Sequence, residues 1–96
     1  MAIVVVSRWK GPNDMTLARQ AGPLFKKHGA VSVRIGFCFS GQYTGQMIVA
    51  ISFPDWASYG SAMQAMMIDP DYQQLLAEAS KRFELQDRSI FIGEEL

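Results

Sequence analysis

The fold is decided by the stretch Val31–Phe53, VSVRIGFCFSGQYTGQMIVAISF. It predicts two strands, Val31–Ser40 and Gln46–Phe53, joined by the polar turn GQYTG, whose two glycines suit a hairpin. Apolar side chains alternate with small or polar ones along both strands, which is the period of a β-strand. One face is wholly apolar and should pack on helices. The other face carries small residues around a single arginine, Arg34, so it is too apolar for plain solvent surface and too polar for an ordinary core.

A strand and a helix precede this hairpin. Ala2–Trp9 predicts the first strand, and its run of three valines is typical of a strand buried on both faces. The first helix is expected to be capped by Asn13 or Asp14 and to run to about His28. Gly22-Pro23 lies inside it, and we expect a kink or break there because proline removes a backbone hydrogen bond.

A second helical segment and a last strand follow the hairpin. Asp55 is the expected N-cap of the second helix, and Asp69-Pro70 is a strong signal for a new helix start. Glu78 and Arg82 are spaced for an ion pair on the surface of that helix. Asp87–Gly93 predicts the last strand, and the final three residues should form a loose polar tail.

The resulting order, β-α-β-β-α-β, predicts one α+β domain over residues 1–96. Two crossovers around a hairpin give a ferredoxin-like antiparallel sheet with helices on one face. An apolar sheet face left open on a small domain usually meets a partner. We therefore expect a homodimer that forms through the sheet faces. The register of the first and last strands, and any larger assembly, remain open at this point.

Composition excludes several classes of function. The formal net charge is zero and there is no stripe of lysines and arginines, which argues against nucleic acid and against an anionic membrane surface. The apolar N-terminal run is too short for a signal peptide or a membrane span. The single cysteine cannot form an internal disulfide, which favours a reducing, cytoplasmic compartment. One histidine excludes multi-histidine metal sites, and no cysteine–histidine spacing supports zinc.

The chain resembles the dimeric α/β-barrel superfamily, which includes small antibiotic-biosynthesis-type monooxygenases, NIPSNAP-like proteins and many uncharacterised bacterial domains. The resemblance covers nearly the whole chain and rests on the element order, on SFPDWASY at 52–59 and on DPDY at 69–72. It implies a barrel of two sheets with helices outside, and a pocket inside the barrel or between sheet and helices. The haem-degrading branch uses a helical histidine with an asparagine and a tryptophan. Asn13 and His28 do not match those positions, so we expect neither haem nor another cofactor.

Arg34 and His28 are the candidate catalytic residues. Arg34 could clamp the carboxylate or phosphate of a ligand, since its planar fork suits bidentate contact. The favoured alternative is an ion pair of Arg34 with Asp87, Glu94 or a second subunit. His28 could act as a general base only with an orienting partner and a cleft. Its place near a helix end favours a structural role or an interaction with the helix dipole.

The candidate ligand-binding residues are Trp9, Arg34, Cys38, Ser52, Trp56 and Tyr59. Cys38 shares a face with Arg34, although a small buried residue is the simpler interpretation. The aromatic residues, together with Tyr72 and the methionine-rich segment Met63–Met67, could line a pocket for a flat apolar ligand. The favoured alternative is that they form core and dimer interface.

Three functions are consistent with these residues. The first, which we favour, is binding of a small apolar or aromatic molecule without chemistry. The second is a cofactor-independent monooxygenase-type enzyme that holds an aromatic ring with Trp9, Trp56 and Tyr59. In that enzyme Arg34 would stabilise an oxyanion and Ser7 or Ser52 would donate hydrogen bonds, but His28 is the only natural base. The third is a purely structural dimeric module with its barrel interior packed shut.

Overall fold

A computed structural model of the chain describes residues 1–94. The elements are β1 (Ala2–Lys10), α1 (Thr16–Lys27), β2 (Ser32–Phe37), β3 (Met47–Phe53), α2 (Trp56–Met67), α3 (Pro70–Ser80) and β4 (Glu84–Gly93). The strands form one antiparallel sheet in the order β2-β3-β1-β4, and the helices cover one face of it. This confirms the predicted α+β, ferredoxin-like fold. No helix within residues 1–94 has the length and apolar character that crossing a membrane requires.

The central hairpin is shorter than predicted because its loop is longer. The backbone N–H of Cys38 donates to the carbonyl of Gln46 at 2.9 Å, and that of Gly45 donates to the carbonyl of Cys38 at 2.8 Å. These bonds close a loop whose glycines at 41 and 45 adopt positive φ, as tight turns require. Val31 and Phe39, predicted to pack on helices, lie beyond the strand ends and are exposed. That part of the prediction was wrong.

Helix α1 is continuous through Pro23, so of the two predicted outcomes, a kink or a break near residues 20–22, the break does not occur. Pro23 and Arg19, one turn earlier, are both exposed. The carbonyl oxygen that proline leaves without a helical partner can therefore bond to water. The N-cap residue of the helix is Met15 and not the predicted Asn13 or Asp14. The Asp14 carboxylate lies one residue earlier and accepts hydrogen bonds from the backbone N–H and the hydroxyl of Thr16, at 2.9 and 2.7 Å.

The caps of the other two helices are as predicted. The Asp55 carboxylate accepts a hydrogen bond from the backbone N–H of Ser58 at 2.7 Å at the start of α2. Asp69 accepts one from the backbone N–H of Asp71 at 2.9 Å, and Pro70 is the first residue of α3.

Strand register assigns every strand residue to one of two sheet faces. We call the helix-covered side the inner face and the opposite side the open face. Val5 pairs with Ile51 on β3 and with Ile90 on β4, which places all three on the inner face. The inner face of β1 and β3 forms the buried core with residues of the helices. The open face carries Val4, Val6 and Arg8 of β1, Ile48, Ala50 and Ser52 of β3, Ser32, Arg34 and Gly36 of β2, and Asp87, Ser89 and Phe91 of β4.

The helix layer ends before it reaches β4. Ile90 and Ile92 lie on the inner face, yet they are 43% and 62% exposed. Their partners across β1, Val5 and Ile3, are buried. The sheet is therefore wider than its cover, and the space between sheet and helices can open along this edge strand.

Candidate functional site

A cavity of about 130 Å³ lies between the inner face and the three helices. Small side chains leave this space, because Ala18 and Ala21 on α1 and Ala79 on α3 all face it. Six aromatic residues line it: Trp9, Phe25, Phe53, Tyr59, Tyr72 and Phe83. An apolar wall with few polar groups is the usual character of a small-molecule site.

Edge-to-face contacts fix the aromatic walls. The rings of Phe25 and Tyr72 have centroids 5.7 Å apart at 65°, and those of Phe53 and Tyr59 are 5.6 Å apart at 67°. Such pairs are favoured over face-to-face stacking, because the ring edges are positive and the ring faces negative. The cavity is therefore bounded by rings with defined orientations.

Five of the described residues that line this cavity carry polar side-chain groups: Ser7, Trp9, Tyr59, Tyr72 and Arg88. The indole Nε1–H of Trp9 donates to the buried hydroxyl of Ser7 at 2.8 Å, which satisfies both groups and fixes the indole. Arg88, on the inner face of β4, is the only charged residue among the described residues that line the cavity. Within residues 1–94 its guanidinium forms no ion pair.

The Tyr72 hydroxyl is a second unpaired group, since it makes no hydrogen bond to the described residues. Burial raises the pKa of Tyr72 above its usual value, and the positive charge of Arg88 acts in the opposite direction. The hydroxyl is therefore protonated at neutral pH and can donate a hydrogen bond. Arg88 and Tyr72 therefore both offer hydrogen-bond donors to a largely apolar cavity.

The predicted ligand-binding residues are divided between the two sides of the sheet. Trp9 and Tyr59 line the cavity. Trp56 is exposed and contacts Tyr59 from outside, with ring centroids 6.2 Å apart. Arg34 and Ser52 belong to the open face. These residues therefore cannot contact one small ligand together.

Within residues 1–94, neither Arg34 nor Cys38 belongs to a wider network of polar side chains. Arg34 is exposed and has no ion-pair partner within residues 1–94, so the expected pairs with Asp87 and Glu94 are not formed in the monomer. The Cys38 thiol follows the end of β2 and lies 3.5 Å from the carbonyl oxygen of Ser40.

His28 lies at the end of α1, outside the residues that line the cavity. Its Nε2 is 2.6 Å from the Asp69 carboxylate, and Lys27 Nζ is 3.4 Å from the same oxygen. This contact lowers the pKa of Asp69 to about 2, with the hydrogen bond from His28 as the largest cause. His28 therefore joins the end of α1 to the start of α3.

Arg88 is the residue that sequence reasoning missed. It alternates with Ile90 and Ile92, so the sequence does place an arginine on the same strand face as two isoleucines. Which sheet face that is depends on the pairing of Ser7 with Arg88, which the sequence left open. The signal was present, but it could not be assigned to the cavity without the register.

The family of the chain is shown by a match over most of its length. The chain belongs to DUF6854, a domain of unknown function whose family model matches residues 12–92. No curated protein matches the sequence.

Solved structures of two kinds share the fold of this DUF6854 member. A mutant form of SnoaB, a cofactor-independent oxygenase from Streptomyces nogalater, has a TM-score of 0.74 and 9% identity over 99% of this chain and 95% of its own. A NIPSNAP domain protein from Burkholderia xenovorans has a TM-score of 0.76 and 12% identity over 96% and 94%. A NIPSNAP family protein of unknown function from Agrobacterium tumefaciens has a TM-score of 0.68 and 14% identity over 94% and 86%. At such identities the likeness shows the fold alone, in the two groups that the sequence resembles.

Proposed function

We propose that this protein binds a small aromatic or apolar molecule in the cavity between the inner face and the helices. The observation that supports this most is the composition of the wall. Fixed aromatic rings surround a space into which the Arg88 guanidinium and the Tyr72 hydroxyl project without partners among residues 1–94. A purely structural module gains nothing from such a space, because filling a void stabilises a core.

A matched pair of variants on α3 tests the proposal. Ala79 lines the cavity, whereas Ala77 is exposed two residues earlier. Phenol should raise the unfolding temperature of the wild type and of Ala77→Leu by mass action. Ala79→Leu fills the space and should abolish that rise. A phenol-dependent rise that persists unchanged in Ala79→Leu would locate binding elsewhere and contradict the proposal.

A cofactor-independent monooxygenase is the second candidate, supported by the fold shared with SnoaB and by Arg88, which could stabilise an aromatic oxyanion. Such a reaction adds one atom of O₂ to a ring carbon of the substrate, and the other atom leaves as water with two hydrogens of the substrate. A base must first remove a proton from the substrate. Among the described residues, no carboxylate or imidazole lines the cavity, and Tyr72 is protonated at neutral pH. Binding is therefore the better supported function.

Oxygen uptake separates the two functions. We expect a hydroquinone to bind without a rise in O₂ consumption above the rate of its spontaneous oxidation. Protein-dependent formation of a hydroxyquinone, with one O₂ consumed and no H₂O₂ released, that is lost in Ala79→Leu and retained in Ala77→Leu would establish the monooxygenase instead.

We also propose that two copies pack through their open faces in the reducing environment of the cytoplasm, which the single cysteine favours. The open face is apolar at its centre and carries opposite charges on its two edge strands, Arg34 on β2 and Asp87 on β4. A two-fold axis parallel to the strands would bring β2 of one copy over β4 of the other. Each Arg34 would then approach the Asp87 edge of the second copy.

Charge reversal tests this packing. Sedimentation at micromolar concentration should give a dimer for the wild type and a weaker dimer for Arg34→Asp. Adding Asp87→Arg to that variant should restore the dimer. A wild type that sediments as a monomer, or a double variant no better than the single one, would contradict this packing.

A further inference from the structure

We infer that the ligand is a monocyclic aromatic anion of the benzoate class, with its ring inside the cavity and its carboxylate at the mouth beside Arg88. This inference rests on the proposed binding function and adds the size and the charge of the ligand. Three properties of the cavity carry it: its volume, its fixed walls and its unbalanced charge.

The volume corresponds to one aromatic ring. The space measures about 130 Å³, and an engineered apolar protein cavity of roughly 150 Å³ stays dry and binds benzene. One six-membered ring therefore fills it. A substituent on that ring has to point out through the open side.

The aromatic side chains that line the cavity cannot easily move apart to admit a second fused ring. Phe53 is fully buried and Phe25 is 7% exposed, and each is held edge-to-face by a tyrosine. Overfilling a packed site forces side chains away from their preferred rotamers. A two-ring ligand would have to displace one of these aromatic pairs.

The charge of the site is unbalanced by one positive group. Arg88 is the only charged side chain among the described lining residues. Its neighbour Asp87 belongs to the open face, where its carboxylate accepts a hydrogen bond from Ser89 at 2.8 Å. The guanidinium therefore remains available to a bidentate carboxylate.

The position of the charge explains where the carboxylate lies. Arg88 is exposed at the uncovered edge of the sheet, so a carboxylate beside it remains partly hydrated. Placing the carboxylate deeper would remove its hydration without compensation. The protonated hydroxyl of Tyr72, which lines the same cavity and feels the charge of Arg88, can donate a further hydrogen bond to it. The ring and the charge of the ligand thus match the apolar and the polar part of one site.

Titration calorimetry with three probes tests size and charge separately. Benzamide has the shape of benzoate without its charge, and 2-naphthoate has the charge with a second ring. We expect benzoate to bind about tenfold more tightly than benzamide. The free-energy difference behind this ratio lies between the usual contribution of an exposed ion pair and that of a hydrogen bond to a charged group. We expect 2-naphthoate to bind more weakly than benzoate.

Arg88→Met is the decisive variant and Arg19→Met is its control. Arg19 is exposed on α1 and does not line the cavity. Arg88→Met should raise the dissociation constant of benzoate about tenfold and leave that of benzamide unchanged. Arg19→Met should change neither.

The remaining outcomes separate the inferred ligand class from the proposed binding function. Equal affinity for benzoate and benzamide, stronger binding of 2-naphthoate, or no effect of Arg88→Met overturns the inference while phenol binding in the cavity stands. If phenol, benzamide and benzoate all fail to bind, the binding function itself is overturned.

Discussion

His28 Nε2 lies 2.6 Å from the carboxylate of Asp69, and their side chains are only 14% and 5% exposed. The pair joins the end of α1 to the start of α3. At the opposite ends of the same helices, Arg82 Nη2 lies 3.0 Å from the Asp14 carboxylate. The predicted pair of Arg82 with Glu78 is replaced by this contact. The hydrogen bond between His28 and Asp69 and the ion pair between Arg82 and Asp14 therefore hold together α1 and α3, two of the helices that form the outer wall of the cavity.

The buried pair should matter more than the exposed lysine beside it. His28→Leu removes the hydrogen-bond partner of a buried carboxylate and should lower the free energy of unfolding by about 2 kcal/mol. Lys27→Met removes a 3.4 Å contact of a side chain that is 58% exposed, which should cost about 0.5 kcal/mol or less. Urea unfolding measures both. Equal effects of the two substitutions would show that His28 does not join the helices in solution.

The same pair predicts how stability depends on acid. The contact with His28 lowers the pKa of Asp69 from 3.8 to about 2 in the folded protein. The resulting stability is present above pH 3.8 and is lost as the pH falls through about 2. Urea unfolding of Asp69→Asn, which retains a capping side chain, should depend less on pH in this window. Asp71→Asn, in the first turn of α3, is the control and should behave like the wild type. Identical pH profiles for all three proteins would contradict the assignment.

Substituting alanine for Gly11 and for Gly60 should change the free energy of unfolding in opposite directions. A Cβ on Gly11 would clash with the Phe83 ring and lie 2.7 Å from the carbonyl oxygen of Arg82. Gly11→Ala should therefore lower the free energy of unfolding by about 1–3 kcal/mol. Because Phe83 lines the cavity, this variant should also weaken phenol binding. Gly60 lies in α2, and an added Cβ would meet open space there. Gly60→Ala should therefore raise the free energy of unfolding by up to about 1 kcal/mol. If Gly11→Ala leaves the free energy of unfolding unchanged, the close approach of Gly11, just after β1, to Phe83 is contradicted.

The open face provides a further prediction about ligand binding. Arg34 is separated from the cavity by the sheet. Arg34→Met should therefore leave the dissociation constant of benzoate within about twofold of the wild type, in contrast to Arg88→Met. Loss of binding in Arg34→Met alone, measured by calorimetry, would return the ligand site to the open face.

The fold could be predicted from local sequence patterns that do not depend on contacts with distant residues. The strands of the central hairpin and the caps at Asp55 and Asp69 follow from short-range features, and each is confirmed, although β2 is shorter than predicted. The prediction at Pro23 failed in part because the local sequence pattern does not show that this part of α1 faces water. Of the predicted kink or break, the break was therefore wrong.

The candidate site depended on long-range pairing and could be predicted only in part. Trp9 and Tyr59 were chosen for their aromatic rings, and both line the cavity. Arg34 was chosen because the central hairpin alone showed its face. The face of Arg88 depends on its pairing with Ser7, near the other end of the chain. Until that register is known, the two arginines cannot be ranked.

The central claim is that a small aromatic molecule enters the cavity between the sheet and the helices, and methionine methyl NMR tests it most directly. Met47 and Met63 line the cavity, whereas Met67 is exposed on α2. Titration with phenol should shift the methyl signals of Met47 and Met63 through ring currents until they saturate, while Met67 stays unchanged. Saturable binding that leaves Met47 and Met63 unmoved, or no change in any methyl signal, would contradict the claim.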